Sequence, residues 1–264
     1  MKYALITGAY GGMGKAAVAA FRGAGYFVFA LDKRVEEGMD GVLPIVYDAT
    51  DPESVRQAFS IVRERTERID VLLHFAGIYT LNSLVEYADE AFSRAFEINV
   101  FGVYRVNKTF LPLLTKGGKI IITTSELAPL EPLPFTGLYA ITKSTLDKYA
   151  YSLRMELQLL GISVAVLRPG AVDTGLLDVS TKALDDFVEN TQLYSCNAER
   201  FKKVVGSVEA RKIPPEKVAR KALKIAEARK PKYVYAINRN PLLLLLSALP
   251  KRMQTWIIKM ILKK

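Results

Sequence analysis

An apolar run from Lys2 to Ile6 stops at Thr7-Gly8-Ala9-Tyr10-Gly11-Gly12-Met13-Gly14 and gives way to a helical pattern, Lys15 to Ala24, with Val18, Phe21 and several alanines on one side. Strand, glycine-rich turn and helix in that order commit the start of the chain to a βα unit. The glycines allow a tight bend, and a bare helix N-terminus presents backbone amides to an anion such as a pyrophosphate. Ordinary turns use glycine too; the position between strand and helix is what gives the cluster meaning. A second apolar run, Tyr26 to Leu31, ends in Asp32, twenty-four residues beyond Gly8. In dinucleotide-binding folds an acid there accepts hydrogen bonds from the adenosine ribose hydroxyls and repels a 2′-phosphate, so NAD is expected and NADP less so. Glycine at position 11 agrees. Lys33 and Arg34 follow at once, and either could pair with a phosphate.

The alternation continues. A third strand, Val42 to Tyr47, leads into Asp48-Ala49-Thr50-Asp51, and Pro52 suits the first turn of a helix running to about Glu67. Val71 to Phe75 reads as a buried strand closing in Ala76-Gly77. One helix from about Asp89 to Ile98 runs into Asn99, and another spans Phe101 to Leu114, closed by Gly117-Gly118. Lys119 to Thr124 and Ile162 to Leu167 are strands on either side of a long helix, Tyr139 to Leu160. Pro215 opens a helix to about Arg229, and Tyr233 to Ile237 is the last strand. Near-continuous apolar strands predict an α/β fold, a Rossmann-type doubly wound parallel sheet covered on both faces. Residues 1–240 are expected to form this single domain, with 241–264 a separate basic, amphipathic segment.

One cysteine, Cys196, excludes an intrachain disulfide framework and fits a reducing compartment. One histidine, His74, leaves little room for a zinc site or a Ser-His-Asp triad, and no metal is expected. Met1-Lys2-Tyr3 runs straight into a strand without a secretory signal, so a cytoplasmic location is expected. From Arg211 onward fifteen Lys or Arg face only Glu216 and Glu227, so the net +10 is concentrated in the tail and the first 210 residues carry about −3. That distribution suggests a local anionic surface and not a nucleic-acid groove.

The chemistry points to one stretch, SELAPLEPLPFTGLYAITK, from Ser125 to Lys143. If Tyr139 lies on a helix, Lys143 follows one turn later on the same face. An ammonium there would draw a phenol with a reference pKa of about 10 towards working pH. A serine reaching the same point could hydrogen-bond a substrate oxygen. By itself Tyr-x-x-x-Lys is common on amphipathic helices.

In their order and spacing, Thr7-Gly8-x-x-x-Gly12-x-Gly14, Asp32, Asp48, Ala76-Gly77, Asn99, Ser125, Tyr139-x-x-x-Lys143 and Pro169-Gly170 followed by Thr174 resemble the classical short-chain dehydrogenase/reductase family over roughly residues 2–237. The resemblance implies that Tyr139 is the general acid/base and that Lys143 lowers its pKa and holds the nicotinamide ribose. Ser125 would polarise the carbonyl oxygen, and Asn99 would order the water linking Lys143 to solvent. Gly8, Gly12, Met13 and Gly14 would line the pyrophosphate turn, with Asp32 on the adenosine ribose and Asp48 at the adenine. Ala76, Gly77, Pro169 and Gly170 would complete the cofactor cleft, and Thr174 would meet the carboxamide. The family also implies a homodimer through the helices at 101–114 and 139–160.

Three features depart from the family pattern. His74 and Phe75 stand where a polar pair usually precedes Ala76-Gly77, and His74 reads as a packed strand residue. The Ser125–Tyr139 interval is one residue longer than the commonest spacing, so Pro129, Pro132 and Pro134 should shape an enlarged loop, with Thr124 the fallback hydroxyl. Gly8, Gly11 and Gly14 also fit the turn of the longer, extended branch of the family, which the chain's length disfavours.

Residues 175–213 lie where the family places a substrate lid. Leu176, Leu177, Phe187, Leu193, Tyr194 and Phe201 there, with Leu127, Leu130, Leu133 and Phe135 before Tyr139, suggest an apolar wall suited to a lipophilic alcohol or ketone. Core and dimer packing is the plainer reading of the same residues; acids stand among them at Asp178, Asp185, Asp186 and Glu189, and no fixed Arg or Lys cluster suits a phosphorylated or carboxylate substrate. The ending resembles the hydroxysteroid and retinol dehydrogenase-like subset. Beyond Asn240 come five leucines, Leu242 to Leu246, too few to span a bilayer, which needs about 20 apolar residues. The last segment sets Met253, Trp256, Ile257, Met260 and Ile261 on one face, flanked by Lys251, Arg252, Lys259, Lys263 and Lys264. That profile suits a helix lying on an anionic membrane; packing on the lid or on a sister subunit is the alternative. The expected function is an NAD-preferring oxidoreductase that interconverts a secondary alcohol and a ketone on a lipophilic substrate. A reductase of small polar ketones or sugars, and a non-catalytic dinucleotide-binding scaffold, are the alternatives.

Overall fold

The strands β1 (Lys2–Thr7), β2 (Tyr26–Asp32), β3 (Val42–Val46), β4 (Ile69–His74), β5 (Leu114–Thr123), β6 (Ser163–Pro169) and β7 (Val234–Ile237) pair in parallel, in the order β3-β2-β1-β4-β5-β6-β7. This computed structural model describes residues 1–209 and 211–263, without the side chains of 176–180 and 207–209. The chain winds outward to β3 and then reverses past β1 to β4. A crevice opens at that switch point, at the carboxyl ends of the strands. Helices α1 (Gly12–Gly23), α2 (Pro52–Arg65), α3 (Asp89–Phe96), α4 (Gly102–Phe110), α5 (Gly137–Leu157) and α8 (Pro215–Glu227) cover the sheet.

Each face of the sheet is sealed by its own apolar layer. Phe29, Leu72, Ile120 and Val164 pack with Val55 of α2, Phe110 of α4 and Leu146 of α5. On the other side Ala4, Val28, Leu73 and Leu167 pack with Phe21 of α1 and with Ala222 and Ile225 of α8. Residues that alternate along one strand go to opposite layers, which is why these strands read as unbroken apolar runs. The single α/β domain expected from the sequence is the one observed.

Several boundaries differ from the sequence reading. Gly117-Gly118 do not close a helix. A 3₁₀ turn, Leu111–Leu113, ends α4 at Pro112, and β5 starts at Leu114, where Gly117 donates its N–H to the Gly161 carbonyl at 2.9 Å. α5 begins at Gly137, two residues before Tyr139, because Phe135 adopts a left-handed backbone (φ 64°) and Pro134 precedes it. The helices around Asn99 are continuous: α3 passes into α4 through a π turn, Glu97–Phe101. Such one-residue insertions rotate the following side chains and recur at functional sites.

The segment read from the sequence as a substrate lid, and called the lid for its place in the chain, carries two helices, α6 (Gly175–Asn190) and α7 (Ser195–Glu209). Glu86 fastens their junction, accepting Thr191 Oγ1 and the Gln192 N–H at 2.8 Å each and the Leu193 N–H at 3.1 Å. Leu176, Leu177 and Asp178 lie outside the described side chains. Two further helices form the tail, α9 (Pro241–Ala248) and α10 (Lys251–Leu262). Among the described residues no helix is long and apolar enough to cross a membrane.

Candidate active site

The glycine turn is built for close approach. Gly8 has a φ of +66°, and a Cβ there would come within 2.5 Å of the Ala76 nitrogen; one at Gly12 would come within 2.6 Å of Thr174 Cγ2. The backbone of the turn therefore sits directly against Phe75-Ala76 on one side and Thr174 on the other. α1 starts at Gly12 with no side-chain cap on its amides. A bare, positively polarised helix end inside a cradle that side chains would fill suits a pyrophosphate. The residues present fit a dinucleotide.

Asp32, at the tip of β2, accepts the Tyr10 N–H through Oδ2 at 2.9 Å and the Lys33 N–H through Oδ1 at 2.7 Å. It thus clamps the turn from the end of β2. Lys33, which could have served a phosphate, pairs with Asp48 Oδ2 at 2.7 Å. Asp48 Oδ1 also accepts the N–H and the hydroxyl of Thr50. Partial burial works to raise the Asp48 pKa, but Lys33 and Thr50 outweigh it and bring it below the usual range. Asp48 is thus committed to its own turn, a role the sequence did not show.

Ser125, Tyr139 and Lys143 meet beside the ends of β4, β5 and β6. All three are buried and line one cleft, and the Ser125 hydroxyl, which accepts the Leu127 N–H at 3.1 Å, lies near enough to the Tyr139 phenol to pull its pKa down. Lys143 Nζ lies 5.7 Å from the Tyr139 ring centroid and donates to the Thr123 carbonyl at 3.3 Å. The one-turn step anticipated for Tyr139 and Lys143 is present. The expected lowering of the phenol is not: burial pushes Tyr139 up to about 12, against the pull of Ser125, and pushes Lys143 down to about 8. Both groups lose water when charged, and within the protein alone that loss exceeds their mutual attraction.

Asn99 stands inside the π turn, buried, with Oδ1 accepting the Ile78 N–H at 2.8 Å. Its Nδ2 donates to the Ile78 carbonyl at 3.0 Å and to Thr142 Oγ1 at 3.1 Å. It thereby braces the segment after Gly77 against the helix carrying Tyr139. The Thr124 hydroxyl is engaged by another group: its Oγ1 donates at 3.3 Å to Asp147, which Arg168 grips through Nε at 3.0 Å and Nη2 at 2.6 Å. His74 is a packed strand residue: Nε2 meets Asn107 Oδ1 at 2.8 Å, and burial lowers its pKa to about 4.

The cleft has a volume of about 230 Å³, with Met13, Gly77, Pro169, Gly170 and Thr174 on the cofactor side. Leu127, Leu133, Phe201, Val204, Val205 and Leu243 line the other. Its charged lining side chains are Lys143 and Glu126. Phe135, Phe187 and Tyr194 do not line it. They form an aromatic cluster with Phe201 that joins the proline loop to the lid, with ring centroids 4.6–5.3 Å apart. The enlarged loop expected from its prolines is thus pinned to the lid. Tyr79, 4.8 Å from the Tyr139 ring, and Glu126 are site residues the sequence reading missed. An acid immediately after Ser125 in an apolar run was a usable signal for Glu126; nothing in the sequence marked Tyr79 or Leu243.

The family model described as short chain dehydrogenase matches residues 2–185. The chain belongs to this family. As a short-chain dehydrogenase/reductase it is an oxidoreductase of a family that binds a nicotinamide dinucleotide. It is 28% identical over 231 residues to a 3-ketodihydrosphingosine reductase of Bacteroides thetaiotaomicron, covering 87% of this chain and 85% of that one. It is 32% identical over 180 residues to an NADPH-dependent 1-acyldihydroxyacetone phosphate reductase of Schizosaccharomyces pombe, covering 66% and 60%. A short-chain dehydrogenase from Streptomyces avermitilis superposes with a TM-score of 0.78 at 23% identity, covering 98% of this chain and 95% of that one.

Proposed function

We propose that the protein interconverts a secondary alcohol and a ketone on a lipophilic substrate, with NAD preferred. The observation that carries this is the meeting of buried Ser125, Tyr139 and Lys143 on the lining of one cleft, beside an apolar wall. The dinucleotide supplies the hydride acceptor or donor. Ser125 and the Tyr139 hydroxyl would donate hydrogen bonds to the substrate oxygen as negative charge develops on it. Tyr139 would deliver the proton to that oxygen in reduction and take it back in oxidation, with Lys143 favouring the phenolate by its charge. Asn99, held by Ile78 and Thr142, is proposed to order the water through which Lys143 exchanges protons. Gly8, Gly12, Met13, Gly14, Asp32 and Thr174 would hold the cofactor.

The apolar lining, with no exposed cation to seize an anionic group, supports a lipophilic substrate over a polar ketone or sugar. The names of the two reductases above point the same way. The NAD preference rests on Asp32 and on the engagement of Lys33 by Asp48; the NADPH-dependent relative is the competing precedent. Replacement of Tyr139 by Phe should abolish turnover while NADH binding, followed by fluorescence titration, persists. Retained turnover would remove Tyr139 from its role.

α10 supports a second, peripheral contact. One side packs on the lid through buried Leu262, while Trp256, Met253 and Met260 stay exposed among Arg252, Lys259 and Lys263. Of the apolar face read from the sequence, Ile257 turns partly inward and the rest points out. An anionic membrane surface suits such a stripe, and the proposed location is the cytoplasm with peripheral attachment. A second copy is proposed to cover Tyr104 on α4 and Tyr151 and Met155 on α5, which expose large side chains; light scattering reads the dimer directly.

A further inference from the structure

A second cavity, of about 360 Å³, lies between the tail and the lid. α9 contributes Leu246 and Leu249 to it, α10 contributes Ile257, Ile258 and Ile261, and Asn240 is the one polar residue among its described lining. Leu133, Phe201, Val204 and Leu243 line both this cavity and the catalytic cleft. The two spaces therefore adjoin at a boundary bordered by these four apolar side chains. Ser125 and Tyr139 stand on one side of it, and a chamber with almost no hydrogen-bonding capacity on the other.

We propose that this chamber seats the unbranched hydrocarbon chain of the substrate whose oxygen is held by Ser125 and Tyr139; the proposal rests on the oxidoreductase reading of the site. The chemistry of the walls selects the occupant. A polar group placed there would lose its water without gaining partners, whereas each methylene is transferred out of water at a gain. Continuity with the reacting centre argues for the far end of the substrate rather than for a separate ligand. The two cavities together fall in the range that holds drug-sized ligands, about 300–1,000 Å³. The registry between head and chain is fixed by the protein: Glu126, next to Ser125, accepts the Asn240 N–H at 2.7 Å, and α9 starts one residue later. The leucine run, too short to cross a bilayer, thus becomes one wall of a chain site.

The test uses the full-length enzyme, NADH and the 2-alkanones from 2-pentanone to 2-undecanone. With wild type, kcat/KM is expected to rise about fourfold per added methylene, the equivalent of about 0.8 kcal/mol each, until the chamber is filled. Leu246→Trp and Leu249→Trp narrow the chamber without touching the cleft. Each should end the rise several carbons earlier and leave 2-pentanone turnover unchanged, with thermal midpoints confirming that the variants fold. A flat wild-type series, or folded variants that keep the full rise, would overturn the chain site while leaving ketone reduction intact. Absence of turnover across the whole wild-type series would overturn the ketone reading itself, and the chain site with it.

Discussion

Glu126 and Asn240 lie 114 positions apart, yet the carboxylate of the one accepts the backbone N–H of the other at 2.7 Å. Glu126 is nearly fully buried, and burial raises its pKa against the opposing pull of that N–H and of Arg239. The residue after Ser125 therefore anchors the segment that closes the far wall of the proposed substrate site. Glu126→Ala should cost about 1–3 kcal/mol by leaving a buried N–H unpaired, whereas Glu126→Gln keeps an acceptor. A raised carboxyl pKa means that the folded state holds its proton longer than the unfolded state, so stability falls as pH rises from the unfolded value towards the folded one. Between pH 4.5 and pH 7 the denaturant midpoint of wild type should therefore drop relative to that of Glu126→Gln, the other titrating groups being common to both.

Lys143 offers a test of activity and stability together. Because burial lowers its pKa to about 8, kcat/KM for ketone reduction should decline above about pH 8 as the ammonium is lost. The folded state binds fewer protons than the unfolded one between about 8 and the ordinary lysine value, so stability should rise with pH across that window. Lys143→Met should remove the buried charge, add up to about 3 kcal/mol of stability at pH 7 and reduce turnover severely. A variant that is both less active and less stable at pH 7 would contradict the assigned burial cost.

His74 is held neutral, with its pKa lowered to about 4. The unfolded chain takes up a proton that the folded one refuses, so stability should be complete above about pH 6.5 and drain away as pH falls towards 4. Over that window the loss approaches about 3 kcal/mol, read as a falling thermal midpoint. His74→Gln should flatten the curve.

Asp32→Asn deletes the charge and keeps an acceptor for one of the two amides, Tyr10 and Lys33, that the carboxylate now holds. The ratio of NADPH to NADH affinity, from parallel fluorescence titrations, should rise by an order of magnitude or so, since about 1.4 kcal/mol corresponds to tenfold. An unchanged ratio would assign cofactor choice elsewhere.

Trp256→Ser combined with Met260→Ser should weaken co-sedimentation with phosphatidylserine-containing vesicles and leave the chain-length dependence of turnover alone, because both side chains point away from the lid. Equal sedimentation of wild type and the double variant would exclude this face as the membrane contact.

The sheet and the cofactor cradle were legible from residues alone because their signals are local. A strand buried on both faces is an unbroken apolar run, and a turn needing φ above zero is a glycine. Tyr139 and Lys143 were legible because one helical turn relates them. The chain chamber was not, since it joins Leu133, Phe201 and Leu249 from three distant segments and no periodicity within any one of them encodes the meeting. The perturbed protonation of Tyr139 escaped for a similar reason: spacing reveals the attraction between phenol and ammonium, but only the fold reveals how little water either retains. The single apolar stripe read on α10 divided because the lid takes up part of it, a partner that helical spacing cannot show.

Phe135 holds a left-handed backbone that a residue with a bulky side chain rarely adopts, and three rings of the lid surround it. The lid and the proline loop are therefore unable to drift separately over generations. A lineage that shrinks Phe187 or Phe201 to admit a wider substrate would also loosen the segment that runs from Ser125 to Tyr139. New specificity in this scaffold should then arise through matched changes on both sides of Phe135, and single replacements on one side should be dead ends.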